Sequence, residues 1–362
     1  MINYSKLFDL ARDTYADLSY HSRSGRALIP LRYFFELTYR CNLACPYCYV
    51  GQDRRKNELT TDEWKSVINQ IPFYAFVTLV GGEPLVRKDF VDILYSVSKK
   101  TLGKVNVVSN GILMNEDIVD AFIKSRMVLL SVSLDGYGVN HDKNRGTDGI
   151  WDKIIANLAY LQERKKELRK SKPMIDIKTI VLENNLDDLP KLYKLCNEMK
   201  FDFLSISFLR NNNLKQNSCL RESFGEEFWK QEYPINPYFD MAHFEEVYKE
   251  ISSLSKKSKV QIRYSPKFDG GDELAKIKKF FSEGPNKEIN EIYYPCKYPY
   301  SNMMINPQGD VYPCLSLNIG NVKNMGLKEV YNLPKFRCFR KNLQCSKLFT
   351  SCQMCCELKV KE

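Results

Sequence analysis

Three thiols fall within eight residues of this 362-residue chain, in the run Arg40-Cys41-Asn42-Leu43-Ala44-Cys45-Pro46-Tyr47-Cys48. Their spacing is C-x3-C-x2-C. Thiolates are soft ligands suited to iron–sulfur clusters or zinc. A structural zinc site is closed by four ligands, usually as two short Cys pairs, and no fourth Cys or His lies near this loop. Three thiolates on a four-iron cluster instead leave one iron open, able to take a small molecule through an amine and a carboxylate. A zinc knuckle completed by a distant ligand, or three inert packed cysteines, are the plainer readings of the same residues.

Seven of the twelve cysteines follow residue 295. Seventeen residues separate Cys296 from Cys314, and Cys352 and Cys355 form a C-x2-C pair. Four thiolates could complete a second four-iron cluster with no open site, or a four-cysteine zinc site. Gly309 and Asp310, just before Cys314, read as a hairpin turn. Cys338, Cys345 and Cys356 are left over, as packing or surface thiols or as ligands of an irregular further cluster. Histidine is scarce, with only His21, His141 and His243. A catalytic triad or a zinc hydrolase needs more of it, so His141 reads as a structural or surface residue.

The elements that must hold these groups alternate. Strands are expected near Leu31–Thr38, Tyr74–Val80, Lys104–Ser109, Val128–Leu134, Met174–Leu182 and Phe203–Phe208. Helices are expected near Thr61–Ile71, Lys88–Lys99, Asn115–Lys124, Ile150–Lys170 and Leu186–Met199. Such alternation predicts an α/β fold of parallel strands joined by right-handed crossovers. Six units are too few to close an eight-strand barrel, which leaves a partial barrel or an open sheet. Cys41–Cys48, Gly81-Gly82-Glu83-Pro84, Ser109-Asn110-Gly111 and Ser133-Leu134-Asp135-Gly136 all follow the C-terminal end of an expected strand. That edge is where parallel α/β folds bind ligands. Beyond Phe208 the chain turns polar, and residues 209–240 read as a linker or lid. Phe244, Val247, Tyr248, Ile251 and Leu254 recur at helical spacing. The expected units are an N-terminal helical extension (1–30), a barrel (31–210), a linker with a helical segment (211–290) and a cysteine-rich domain (291–362).

Composition narrows the class. Apolar residues make up 44 % of the chain, enough for a large core. No apolar run reaches the ~18 residues of a membrane-spanning helix, and the first 18 residues lack the apolar stretch of a secretory signal. A cytosolic, reducing setting is expected, in which clustered cysteines point to metal or catalysis rather than disulfides. The formal charge is +10. Its Lys-rich stretches, Lys165–Lys172 and Lys256–Lys259, read as solvated helix faces. No aromatic-interleaved basic segment argues for nucleic acid.

The first loop resembles the signature of the radical S-adenosylmethionine (SAM) superfamily, with the customary aromatic, Tyr47, before its last cysteine. The resemblance implies a partial (β/α)6 TIM-like barrel. It implies a [4Fe–4S] cluster on Cys41, Cys45 and Cys48, whose open iron is chelated by the methionine part of SAM. Reductive cleavage of SAM then gives a 5′-deoxyadenosyl radical that takes a hydrogen atom from a substrate. Gly81, Gly82, Glu83 and Pro84 resemble the family's GGEP segment, expected to receive the methionine ammonium. Ser109 and Asn110 resemble the turn that meets the cofactor after the third strand. Ser133, with Arg145 twelve residues on, resembles the pair that contacts the cofactor's carboxylate and ribose.

Downstream, Cys296, Gly309 and Cys314 resemble the opening of the auxiliary-cluster domains called twitch and SPASM. The resemblance implies an auxiliary [4Fe–4S] cluster on Cys296, Cys314, Cys352 and Cys355. The later C-x2-C-x5-C-x3-C half of the SPASM pattern is missing, which favours one auxiliary cluster over two. A low-potential reductant such as flavodoxin or ferredoxin is the implied electron source. Only about 30 residues precede the first strand, which favours a small-molecule substrate over a peptide. Peptide or protein modification stands as the alternative, and a non-catalytic zinc or iron–sulfur protein as the remote one. A base or anion anchor is expected from Arg210 or the 209–240 segment, and no catalytic residue can be singled out.

Overall fold

The computed structural model describes residues 4–48, 50, 57–209, 238–268, 271–284, 287–314 and 317–361. Arg210 and most of the expected lid lie outside these. Six parallel strands follow one another in register order: β1 (Arg32–Glu36), β2 (Phe76–Val80), β3 (Val105–Ser109), β4 (Leu129–Ser133), β5 (Met174–Val181) and β6 (Phe203–Phe208). Helices α1 (Tyr4–Tyr20), α2 (Thr61–Gln70), α3 (Phe90–Thr101), α4 (Glu116–Lys124), α5 (Val139–Arg145), α6 (Ile150–Glu167) and α7 (Asp188–Glu198) lead into or link them. This is the expected partial (β/α)6 TIM-like barrel. Each expected element is present, with ends shifted by up to three residues.

Local chemistry explains the boundaries. Thr60 and Glu63 form a reciprocal capping box at the start of α2, a device that satisfies two otherwise orphaned donors. Asn115 accepts from the Ile118 N–H to start α4. Leu102 ends α3 in the left-handed conformation.

Four further strands extend the sheet beyond the six expected. β7 (Gln261–Ser265) pairs parallel with β6, so the sheet continues beyond residue 210. β8 (Asn302–Ile305) pairs parallel with β1 on the other side. β9 (Asp310–Tyr312) returns antiparallel to β8, and the connection carries Gly309 at φ +89°, so the expected hairpin is present. With β10 (Gly320–Asn321) the order is β10-β9-β8-β1-β2-β3-β4-β5-β6-β7. The helix expected around Phe244 is α8 (Met241–Ser255), followed by α9 (Glu273–Glu283), α10 (Ile289–Ile292), α11 (Leu327–Val330) and α12 (Pro334–Ser346). Among the described residues no helix is long and apolar enough to cross a membrane.

The two faces of the barrel sheet differ. Tyr33, Phe35, Val77, Leu79, Val105, Val107, Leu130, Val132, Ile175, Ile177, Leu204 and Ile206 face the helices at 0–1 % exposure. Phe35 packs on Trp64 of α2 with centroids 5.1 Å apart. Each such side chain contributes roughly 1.5–3 kcal/mol by leaving water. The alternate residues face the lumen, and many are polar. Asn106, Ser131, Asp176 and Ser205 form a hydrogen-bonded chain across β3, β4, β5 and β6: Ser131 Oγ reaches Asn106 at 3.2 Å and Asp176 at 3.3 Å, and Ser205 Oγ donates to Asp176 at 2.7 Å. Closed barrels fill this space with layers of branched apolar residues. Here Phe34, Val80, Val108, Ser133, Lys178, Ile180, Ser207 and Arg263 remain half-buried, so this face is only partly covered and partly polar.

Candidate functional site

The cysteine loop leaves the end of β1 and is strapped to the neighbouring strand ends from three directions. The first strap is backbone. The Gly82 N–H donates to the Thr38 carbonyl at 2.7 Å and the Glu83 N–H to the Arg40 carbonyl at 2.9 Å. A Cβ on Gly81, at φ +141°, would meet the Thr38 carbonyl oxygen, and one on Gly82 would meet those of Tyr39 and Arg40. These glycines admit the approach of the chain leading into the cysteines.

The second strap runs through Glu83, which is 1 % exposed. Its carboxylate accepts from Ser109 Oγ at 2.9 Å, the Asn110 N–H at 2.7 Å and the Leu85 N–H at 3.1 Å. Burial raises its pKa to about 7, against the lowering effect of these donors and of Arg145. Asn110 in turn donates to Asn42 Oδ1 inside the loop at 2.8 Å. Glu83, Ser109 and Asn110 thus form one unit joining the ends of β2 and β3 to the loop.

The third strap centres on Asp135, a residue of the quoted Ser133–Gly136 motif to which sequence reasoning gave no role. It is 1 % exposed. Its carboxylate accepts from the Tyr47 hydroxyl at 2.6 Å and the Ile180 N–H at 2.8 Å, and pairs with Arg145 at 2.5 Å. Its carbonyl accepts from Asn144 and Asn185. Arg145 comes from α5, which was not anticipated. It lies 3.6 Å from the Cys45 sulfur and 5.9 Å from the Tyr47 ring. Burial opposes its charge, but Asp135, then Tyr47 and Cys45, hold the guanidinium more firmly protonated than usual. Its Nε is buried without a partner. His141 is a structural residue: it is 1 % exposed, and its Nδ1 accepts the Asp135 N–H at 3.1 Å.

The three thiols neighbour one another. Burial in the surrounding protein pushes Cys41 up to about 11; the Leu43 N–H opposes this, and Glu83, Cys45 and Cys48 add to it. Burial also raises Cys45, against the pull of Arg145. Protons are disfavoured there once a metal replaces them. Ser133 faces the lumen beside this assembly, in register with Lys178.

The C-terminal cysteines form a second group. Burial holds the Cys296 thiol well above its usual range, and Cys352, Cys355 and Cys314 add to this. All four pack against the apolar core. Among the described residues no three His, Cys, Asp or Glu side chains converge on one point fit for a single metal ion. A cubane asks for a wider set, because each thiolate binds a different iron. The thiol-only donors of both groups, with the orphaned Arg145 Nε beside the first, fit clusters of that kind. Cys338, Cys345 and Cys356 are exposed.

Comparison with known proteins agrees with this chemistry. Residues 35–196 match the radical SAM superfamily, and residues 296–356 match an iron–sulfur cluster-binding domain, SPASM. The chain is 28 % identical to the PqqA peptide cyclase of Bradyrhizobium diazoefficiens, over 49 % of its own length and 46 % of the relative's. It is 32 % identical to the AdoMet-dependent heme synthase of Methanosarcina barkeri, over 46 % of each. It therefore spans about half the length of the curated relatives it matches. Among solved structures, Streptococcus suis SuiB bound to S-adenosylmethionine superposes with a TM-score of 0.64 at 18 % identity, covering 94 % of this chain and 74 % of SuiB. At that identity the likeness shows the fold. The chain thus carries a radical SAM domain, of the kind that binds a [4Fe–4S] cluster with S-adenosylmethionine, and a C-terminal SPASM-type iron–sulfur domain.

Proposed function

We propose that this enzyme removes a hydrogen atom from an organic substrate seated in the barrel lumen. Cys41, Cys45 and Cys48 would hold the first cluster; Tyr47, Gly81, Gly82, Glu83, Pro84, Ser109, Asn110, Ser133 and Arg145 would surround the cofactor. Cys296, Cys314, Cys352 and Cys355 would hold an auxiliary cluster. When bound, SAM supplies the hard chemistry, a 5′-deoxyadenosyl radical released on one-electron reduction. The protein's part is to orient and to shield. Tyr47 and Arg145, both fixed by Asp135, set the loop's position over the lumen. The Glu83 unit fixes its other side. The half-buried lumen residues give the substrate a place within reach of the strand ends.

The observation that carries this reading is the strapped thiol loop at the strand ends of a barrel whose inner face is partly polar and only partly covered. A small molecule is the first reading for the substrate, with net oxidation or rearrangement as the outcome and flavodoxin or ferredoxin as the electron donor. A peptide is the second. It is favoured by the relative named a peptide cyclase and by the similarity to SuiB, one structure of which contains its precursor peptide.

The test is anaerobic reconstitution, reduction with dithionite and quantification of 5′-deoxyadenosine. Wild type should form it and Cys45→Ala should not; equal formation by both refutes the reading. Small-molecule and peptide fractions of a deuterated lysate then separate the two substrates. The fraction containing the substrate transfers deuterium into 5′-deoxyadenosine.

A further inference from the structure

The three straps hold the tip of the thiol loop, and its base is closed separately. The chain leaves β1 at Leu37 and comes back beside α2 at Leu59, with all three thiols in between. Arg87 reaches both ends. Its Nη1 donates to the Leu37 carbonyl at 2.9 Å and its Nη2 to the Leu59 carbonyl at 3.0 Å. Asp89 takes the other edge of the guanidinium, at 2.9 Å from Nε and 2.7 Å from Nη2. Asp89 also accepts from Thr61 Oγ1 in the first turn of α2 at 2.6 Å. An arginine that served Asp89 alone could stay in water, but Arg87 is 7 % exposed and sits where the two ends meet.

Glu58 doubles the closure. It lies 3.5 Å from Arg87 Nη1. Its carboxylate accepts from the Thr38 hydroxyl, and from Arg40 Nη2 at 3.2 Å. The returning chain thus grips the residues that lead into Cys41. Leu59 is anchored in turn, because its N–H donates to the Pro307 carbonyl at 2.6 Å, in the turn between β8 and β9. A planar fork of donors can serve two chain segments and a carboxylate at once. An ammonium, with its donors at one point, cannot span the same acceptors.

We infer that Arg87, seconded by Glu58, is a positioning residue that closes the base of the thiol loop and so keeps Cys41, Cys45 and Cys48 at the separation a shared cluster needs. Joining the two ends removes conformational freedom from the whole intervening segment, which the straps at the tip then only have to orient. The inference rests on the proposed reading of these thiols as ligands of the first cluster.

The test uses the full chain as wild type, Arg87→Lys and Glu58→Gln. Hydrogen exchange of residues 37–48 is measured in the apoprotein, with β5 and β6 as the internal reference. Arg87→Lys should quicken loop exchange by about tenfold or more relative to that reference, and Glu58→Gln by a smaller factor. Reconstituted protein is then challenged with a chelator and its iron followed in time, with Cys45→Ala giving the rate for auxiliary iron alone. In Arg87→Lys the first cluster should leave about ten times faster than in wild type, while the auxiliary iron leaves at the Cys45→Ala rate. The inference is overturned if loop exchange is unchanged in both variants, if loop and reference quicken equally, or if both groups of iron are lost faster together. Should Arg87→Lys fail to fold, Glu58→Gln decides by the same readings. The exchange measurement needs no cluster, so it stands even where wild type forms no 5′-deoxyadenosine, and failure of the radical reading is distinguishable from failure of the closure.

Discussion

The cysteine loop after β1 and the cysteines after residue 295 carry the same ligand type in two different settings. The first group sits on irregular backbone and is positioned by polar straps, through Glu83, Asn110, Asp135 and Arg145. Cys41 reaches the surface. The second group is held by packing: Cys296, Cys314, Cys352 and Cys355 touch the apolar core. On the proposed reading, the group that admits a ligand is anchored by directional bonds around an open side. A group that needs no opening is set into a core. Variants that hurt one setting and spare the other test this contrast.

The largest expected effect is on the packed side. Arg340 of α12 is 0 % exposed and has no acidic partner among the described residues; it donates to the carbonyls of Pro299, Tyr331 and Gly25. Its guanidinium also lies 3.9 Å from the Phe336 ring and 4.1 Å from the Tyr331 ring. Burial lowers its pKa, against the opposing influence of Tyr331. Arg340→Met keeps the volume but orphans buried carbonyls, at about 1–3 kcal/mol each. A loss of roughly 4 kcal/mol in denaturant unfolding of the apoprotein is expected. At temperatures where the variant remains folded, cofactor cleavage at the first loop should persist. Loss of cleavage in a folded variant would break the contrast.

On the strapped side, Asp135→Asn removes the charge that Arg145 faces while keeping the shape. Arg145 is 12 % exposed in its side chain. Breaking a buried pair at one partner costs about 3 kcal/mol, less here because the Cys45 sulfur remains. The sharper readout is hydrogen exchange of residues 41–48 in the apoprotein, which should quicken in Asp135→Asn and in Tyr47→Phe but not in Arg340→Met. Unchanged exchange in Asp135→Asn would mean that the loop is held by the Glu83 side alone.

Much of this was legible in the sequence for physical reasons. Apolar positions at period two and at helical spacing mark the elements, because one face of each must be buried. The cysteines, the Gly81-Gly82 pair and Ser133 stand out because few other residue types could do their work. Other features carried weaker signals. β7 reads Gln-Ile-Arg-Tyr-Ser, with polar residues on the partly exposed lumen side, so it lacks the apolar run of its neighbours. α5 is seven residues of mostly polar sequence after a glycine. Asp135 precedes Gly136 and reads as a turn residue; only the convergence of Tyr47, Arg145 and the Ile180 N–H, 45 to 88 positions away or ten along, reveals it as a hub. A visible signal did exist there: an acidic residue at a strand end, facing an Arg ten residues later.

His141 gives the smallest effect and ties the strapped region to pH. Its Nδ1 accepts the Asp135 N–H, so the proton of the neutral ring sits on Nε2, which is buried without a partner. Burial, and then Arg145, push its pKa down to about 4, with Asp135 and Asp142 opposing. The ordinary value is about 6.5. Between these values the unfolded chain binds a proton that the folded chain refuses, so stability falls as pH is lowered through 6.5 and stops falling near 4. From pH 7 to pH 5 this amounts to about 2 kcal/mol. His141→Gln removes the titration and keeps an acceptor for the Asp135 N–H. The difference in unfolding free energy between wild type and this variant should therefore change by that amount over the window, with wild type the more pH-sensitive. Parallel pH profiles would show that the ring is not held neutral, and that the Asp135 hub can follow pH without strain.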